Sequence, residues 1–273
     1  MFPPGSISTG KGIIMSLEML GKLFSLKGKV ALVTGGYKGI GRMIAETYAE
    51  AGADVAIVAR NLDGCQAAAK DITEKFGVRA IGISMDVHDS NIVNSVVQKV
   101  VDEFGKIDIL VNNAGVTGSE KPVQKMSDED MDDVMNVDFR GVFLTSRAVV
   151  KYMAEKKSGK IINVASILGK IAARNMAGYC ASKAAVIQLT KVMALEFMRD
   201  NVQVNTLCPG YFLTEFNRDF FNSDAGKNMI KKMIPMNRVG DLEELKPTVL
   251  YLANCPTFMT GTEIYVDGGH TIP

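Results

Sequence analysis

Seven short apolar runs recur along the chain: KVALVTG (29–35), ADVAIVAR (53–60), RAIGISMD (79–86), IDILVNNAG (107–115), KIINVAS (160–166), VQVNTLCPG (202–210) and TEIYVDGG (262–269). They are mostly continuous rather than alternating, the pattern of strands buried on both faces of a parallel sheet. Stretches of helical period separate them. RMIAETYAEAG follows the first run, with Ile40, Ile44, Ala45 and Tyr48 on one face, and SNIVNSVVQKVVDEFG (90–105) has room for a crossover helix. This alternation predicts an α/β fold, a doubly wound parallel sheet of about seven strands in a single domain. The glycine turn after the first run, Asp86, Asn113, Ser166 and Pro209-Gly210 all fall at or just after the ends of predicted strands. In such sheets ligands bind beyond those carboxyl ends.

The first run leads into Thr34-Gly-Gly-Tyr-Lys-Gly-Ile-Gly41 and then into a helix. Strand, glycine turn, helix is the context of a dinucleotide site. Gly35 permits the tight turn, Gly39 lets the backbone approach a pyrophosphate, and Gly41 lets the helix pack on the strand. The helix N-terminus offers unpaired N–H groups and partial positive charge to phosphates. The spacing is T-G-x-x-x-G-x-G, which differs from the commoner G-x-G-x-x-G.

Tyr179 and Lys183 stand four residues apart in GYCASKAA, so both leave one face of a helix. A phenol is a weak acid, and an ammonium beside it stabilises the phenolate, bringing proton exchange near neutral pH within reach. Such a pair recurs in many helices and carries little alone. Here it follows Ser166 by thirteen residues and lies downstream of the glycine turn, and the combination describes an oxidoreductase.

Composition narrows the classes. At 273 residues and 47% apolar content, one large core is expected. A net charge of +1 gives no electrostatic case for nucleic acid or an anionic membrane. Cys65, Cys180, Cys208 and Cys255 are scattered without a C-x-x-C pair and read as reduced thiols of a cytoplasmic protein. With only His88 and His270, no histidine triad or metal site is expected, and His88 is placed on a surface turn. No apolar stretch approaches the roughly 18 residues a membrane span needs. Residues 1–26 read as an N-terminal extension, partly disordered, with Met15 as an alternative start. Its apolar stripe is Ile13, Leu17, Leu20 and Phe24, and it lacks the marks of a signal peptide.

From about Lys27 to Gly269 the chain resembles the short-chain dehydrogenase/reductase family. The motifs that carry the resemblance are TGGYKGIG at 34–41, DV at 86–87, NNAG at 112–115, Asn136 in NVDFRG, Ser166, YCASK at 179–183 and PGYFLT at 209–214. The resemblance implies a catalytic tetrad of Asn136, Ser166, Tyr179 and Lys183. Tyr179 would exchange the proton, and Ser166 would hydrogen-bond the substrate oxygen. Lys183 would favour the phenolate and hold the nicotinamide ribose. Asn136 would anchor, through its backbone carbonyl, a water leading from Lys183 to solvent. The implied cofactor contacts begin in the turn, at Gly35, Tyr37, Lys38, Gly39, Ile40 and Gly41. Asp86 and Val87 would take the adenine, Asn113 the adenosine ribose, Tyr179 and Lys183 the nicotinamide side, and Phe212 and Thr214 the carboxamide.

NAD-specific members carry an acidic residue at the end of the second strand. Here that position is Ala59, followed by Arg60. A guanidinium binds a 2′-phosphate that a carboxylate would repel, and Lys38 adds a second cation, so NADP is expected over NAD. Residues 211–238 correspond to the family's substrate lid, rich in Phe212, Phe216, Phe220, Phe221, Met229 and Met233 with Arg218, Lys227, Lys231 and Lys232 interspersed. That mixture suits an acidic or moderately sized ketone, and it equally serves packing and solvation. The opening and closing segments look similar to gluconate 5-dehydrogenases and related keto-sugar or polyol reductases. A 3-oxoacyl thioester reductase acting on a carrier protein or coenzyme A is the alternative. For that alternative Lys157 fits one carrier-docking position, while Asp200 stands at the other. A non-enzymatic NADP-binding regulator is the reading from a different class. The helix after Tyr179 (Ala185, Val186, Leu189, Val192, Met193) and the one spanning 136–150 carry surplus apolar residues, and a homotetramer is expected.

Overall fold

A computed structural model describes Met19, residues 21–215 and residues 217–272. Ile13, Leu17 and Leu20 of the predicted stripe, Met15 and Phe216 of the predicted lid lie outside the described residues. The seven predicted runs all form strands: β1 (Val30–Thr34), β2 (Asp54–Ala59), β3 (Ala80–Ser84), β4 (Ile109–Asn112), β5 (Gly159–Val164), β6 (Val202–Pro209) and β7 (Glu263–Val266). They build one parallel sheet of order β3-β2-β1-β4-β5-β6-β7. The chain winds outward from β1 to β3 and then returns to place β4 on the other side of β1, with Leu32 opposite Leu110. Strand order reverses there, and a crevice opens past the carboxyl ends of β1 and β4.

Helices cover both faces. On one side lie α1 (Gly39–Glu50), α2 (Leu62–Phe76) and, from later in the chain, α9 (Lys246–Ala253). Tyr48, Ile44, Ile72, Val249 and Leu252 pack there against Val33, Val55 and Ile57, all fully enclosed. The buried phenol of Tyr48 is satisfied by donating to the Val249 carbonyl at 3.1 Å. On the other side α3 (Ser90–Phe104) and α5 (Gly141–Glu155) bring Val96, Val100, Leu144, Val149 and Met153 against Leu32, Leu110 and Ile161. Between α4 (Asp128–Val134) and α5 the six residues Met135–Arg140 wind as a π turn. The helix α6 (Ala177–Phe197) runs beside β6 and places Val186 and Met193 in the core.

The helical starts and stops follow local chemistry. The Asn61 side chain accepts Gly64 N–H to cap α2, and Asp89 accepts two N–H groups to cap α3. Left-handed Gly77 and Gly105 end those two helices. By contrast α1 starts at Lys38 with no side-chain cap, so its first N–H groups remain open toward the crevice. Residues 218–233 form two short helices, α7 (Arg218–Asn222) and α8 (Asp224–Met233), over the carboxyl ends of β6 and β7.

Candidate active site

The glycine turn has the shape a phosphate needs. Gly35 and Gly39 take φ of +65° and +54°, values that side-chain-bearing residues rarely adopt. A Cβ on Gly41 would stand 2.3 Å from the Gly35 carbonyl oxygen, so only glycine lets α1 close on β1. A Cβ on Gly39 would meet nothing nearer than Thr214 Cγ2 at 4.0 Å and would project into the open space between the turn and the residue 212–214 strap. Uncapped N–H groups at the start of α1 face an anion-sized gap lined by glycine. The residues present therefore fit a dinucleotide pyrophosphate.

The turn is stitched to β4. Thr34 Oγ1 accepts the N–H groups of Asn113 and Ala114 at 2.9 and 3.0 Å, and Asn113 Nδ2 donates to the Thr34 and Gly35 carbonyls. The amide of Asn113 thus holds the turn, at the position where the resemblance implied an adenosine-ribose contact. Tyr37 packs on the start of α2, where a Cβ on Gly64 would come within 2.7 Å of its ring. Lys38 Nζ lies 5.4 Å from the Tyr37 ring centre. Arg60, at the end of β2, is exposed, and among the described residues it forms no ion pair. Ala59 is the last residue of β2, so the position where an acidic residue would stand carries no carboxylate.

Asp86 and Val87 follow β3. Val87 is buried against Gly141, whereas Asp86 Oδ1 lies 2.9 Å from Nδ1 of His88. His88 occupies an exposed turn as expected, but its ion-pair position beside Asp86 was not visible in the sequence. Asn217 accepts Thr214 N–H and donates to the Phe212 carbonyl, bracing the strap where the two carboxamide contacts were expected. Nothing in the spacing of Asn217 had singled it out.

Three of the four residues expected to be catalytic lie at the end of β5 and on α6. Ser166 follows β5 and is buried, its Oγ accepting Leu168 N–H at 3.1 Å. With its lone pair so engaged, the hydroxyl proton is free to be donated outward. Lys183 is buried on α6, one turn from the half-buried Tyr179, with Nζ 5.4 Å from the phenol ring centre. Nζ donates to the Val164 carbonyl at 3.2 Å. Burial alone would drive the Lys183 ammonium to lose its proton, but the Asp138 carboxylate, with Tyr179 and Cys208, outweighs it and raises the pKa.

Asn136 lies in the π turn, and its backbone carbonyl, expected to anchor a water, accepts Gly141 N–H in the wide i to i+5 geometry and keeps a second lone pair. The turn also delivers Asp138. This side chain is fully enclosed, with Oδ2 3.1 Å from Lys183 Nζ and Oδ1 accepting Val116 N–H at 2.7 Å. Burial pushes the Asp138 carboxyl up, against the pull of Lys183 and the Val116 amide. A sequence signal did exist: Asp138 is a charged residue between Val137 and Phe139 in an otherwise apolar-facing stretch.

Tyr211, at the base of the lid, faces the same space. Burial raises its pKa, and Tyr179, Cys180 and Glu120 act on it in the same direction. Its ring packs edge-on to Phe221 with centres 5.9 Å apart and lies 5.7 Å from His270. Phe212 and Phe221 are therefore packing residues, while Phe220 is left half exposed. A recess of about 540 Å³ opens in the lid, lined by Leu213, Phe221, Lys227, Ile230, Lys231 and Arg238 among others. Arg238 is held by Glu244 through two contacts of 2.7 Å, and Lys157 is ion-paired with Asp200. No group of metal-ligating side chains is found among the described residues, and no helix there is long and apolar enough to cross a membrane.

A family model described as short chain dehydrogenase matches residues 29–225. The chain is 37% identical over 246 residues to a 3-oxoacyl-acyl-carrier-protein reductase of Vibrio cholerae, covering 90% of this chain and 98% of that one. It is 38% identical over 250 residues to D-threitol dehydrogenase of Mycolicibacterium smegmatis, covering 91% and 95%. Among solved structures, a gluconate 5-dehydrogenase from Burkholderia cenocepacia in complex with NADP and tartrate superposes with a TM-score of 0.88 at 35% identity, covering 93% and 99%. With the parallel sheet, the glycine turn and the Ser166, Tyr179 and Lys183 constellation already in place, these matches establish that the chain belongs to the short-chain dehydrogenase family.

Proposed function

We propose that the protein is an NADP-dependent oxidoreductase that interconverts a ketone and a secondary alcohol, acting on a keto-sugar acid or polyol-type substrate. The observation that carries the chemistry is the buried Lys183 ammonium behind Tyr179, with the Ser166 hydroxyl oriented at the end of β5. The nicotinamide, when bound, supplies the hydride that reduces the carbonyl carbon. Tyr179 breaks its O–H bond and delivers the proton to the carbonyl oxygen, and in oxidation its phenolate takes that proton back. Ser166 donates a hydrogen bond to the same oxygen as its negative charge develops. Lys183 favours the phenolate and has N–H capacity beyond Val164 and Asp138 with which to hold a ribose hydroxyl.

The NADP preference rests on Ala59, on the exposed Arg60, which forms no ion pair among the described residues, and on Lys38 in the glycine turn. The NADP-bound structural relative supports the same choice. For the substrate, support comes from the threitol and gluconate relatives and from Lys227 and Lys231 at the lid recess, which suit a carboxylate. The second reading, reduction of a 3-oxoacyl thioester, is favoured by the 3-oxoacyl reductase relatives. Against a carrier protein, Lys157 already has its own counter-ion in Asp200, so one of the two expected docking cations is neutralised.

A panel of polyols, sugar acids and a 3-oxoacyl thioester, followed through reduced-cofactor absorbance, tests both readings. Turnover of the thioester alone would overturn the first. Tight NADPH binding without turnover on any member would point to a regulator. We also propose a homotetramer in the cytoplasm. Val186 and Met193 serve the core, but Val192 and Leu195 on α6, Met198 just past its end and Phe143 on α5 remain exposed for a partner copy.

A further inference from the structure

Lys183 has a buried carboxylate as its nearest charged neighbour. Asp138 and Lys183 are 0% and 4% exposed, and Oδ2 to Nζ is 3.1 Å. The main chain is arranged around this pair. The π turn brings Asp138 inward, Val116 N–H fixes its other oxygen, and Gly115 leaves the space: a Cβ there would stand 3.1 Å from Oδ2 and 3.3 Å from Nζ. A surface lysine would be indifferent to such a neighbour. Inside a site of low dielectric the partner's charge decides what the lysine can do for Tyr179.

We propose that Asp138 is a positioning residue that offsets part of the Lys183 charge felt by Tyr179, makes the phenol harder to ionise than the ammonium alone would, and so tunes the site toward proton donation. The inference deepens the hydride-transfer reading above and rests on it for its catalytic meaning.

The charge count gives the direction. With Asp138 ionised and Lys183 protonated, the buried pair is neutral, and ionising Tyr179 would leave a net negative charge in the interior. Without the carboxylate, ionising Tyr179 would instead complete a neutral ammonium–phenolate pair, an easier step. The other titratable groups facing the pair do not reverse this. Tyr179 comes from α6 with Lys183, and Tyr211, coupled to Tyr179 from the base of the lid, has its own pKa raised by burial and stays a neutral phenol. Cys208 comes from β6 and stays an uncharged thiol, pushed up to about 12 by burial and by Glu263 of β7. Arg140, on the π turn itself, points away to the His88 carbonyl. Asp138 cannot alter the overall equilibrium of the reaction. It sets the pH range over which each direction runs: ionising the phenol for alcohol oxidation takes a higher pH with the carboxylate present than without it.

The test needs no substrate. The chain has no tryptophan, so near-ultraviolet phenolate absorbance is clean, and subtracting a Tyr179→Phe titration isolates Tyr179 from the other tyrosines. In Asp138→Asn the Tyr179 midpoint should fall by on the order of one pH unit relative to the unmodified protein. Asp138→Glu should keep the midpoint high, and Asp138→Ser makes the same charge change should the Asn variant fail to fold. A midpoint that is unchanged or raised in the charge-removing variants overturns the proposal. The second readout is the acid limb of NADP-dependent oxidation of D-threitol and D-gluconate, which should move to lower pH with the midpoint. If neither alcohol turns over while the phenol midpoint still falls, the substrate reading fails and the role of Asp138 stands.

Discussion

Gly41 lies so close to Gly35 that a single added carbon would sit 2.3 Å from the Gly35 carbonyl oxygen and 2.4 Å from Asn113 Nδ2. Neither neighbour can yield cheaply, since one is backbone and the other holds the turn to the end of β4. Gly41→Ala should therefore cost about 1–3 kcal/mol of stability through overpacking. It should also weaken NADPH binding, because the turn must open to admit the methyl. Urea denaturation and a fluorescence titration with NADPH measure both effects. An unchanged affinity would mean the turn does not contact the cofactor.

Tyr179→Phe removes one oxygen from a half-buried ring and leaves Lys183 and Ser166 in place. Turnover should fall by about 10²–10⁴-fold, the usual worth of a positioned proton donor, with NADPH affinity nearly intact. Full activity in this variant would remove the phenol from the mechanism. Lys183→Ala should lose both turnover and affinity, since Lys183 is assigned two tasks.

Arg60→Asp exchanges a free guanidinium for a carboxylate at the end of β2. The ratio of kcat/KM for NADPH to that for NADH should fall and then invert, as the carboxylate repels a 2′-phosphate and accepts from a 2′-hydroxyl. An unmodified protein that already prefers NADH would contradict the assignment of Ala59 and Arg60.

Acid should loosen the segment that leads out of the lid. The Arg238 guanidinium holds the Glu244 carboxyl down to about 2, and Glu244 also accepts Asp241 N–H. Because the folded value lies below the unfolded one of roughly 4.3, this group's contribution is fully present above the unfolded value and is lost as pH falls through about 2. Glu244→Gln should therefore flatten the dependence of unfolding midpoint on pH in that window, leaving neutral behaviour little changed. An identical slope in both proteins would show that the pair contributes nothing.

Light scattering on the full-length chain checks the assembly. Leu195 is 71% exposed and Val192 42% exposed on the same helix, a large apolar offering to solvent. A mass near four times 29.5 kDa is expected, and a single species at 29.5 kDa would refute the tetramer.

All seven strands were legible because each run is apolar on both faces and ends at a glycine, proline or polar residue, the signature of a sheet covered on both sides. Tyr179, Lys183 and the glycine turn were legible for a similar reason, since their geometry follows from regular helix and turn spacing. Asp138 was missed because its place depends on a π turn, where the residue facing inward does not follow the helical period, and the family motif pointed to Asn136. Asn217, the His88 contact with Asp86 and the Lys157–Asp200 pair are set by loops and by long-range meetings. No local pattern in the sequence encodes those.

The hydrogen bonds from Thr34 to Asn113 and Ala114 join the carboxyl ends of β1 and β4, the seam between the half of the sheet that winds to β3 and the half that winds to β7. A dinucleotide laid across the crevice would touch Arg60 and Asp86 on one side of that seam and Tyr179 and Lys183 on the other. It would act as a clasp, adding contacts at the open end of a seam that the β1–β4 ladder and its apolar packing already join. Backbone amides of β1 and β4 should then exchange with deuterium more slowly in the presence of NADPH than those of β7, which lies far from the seam and serves as the internal reference.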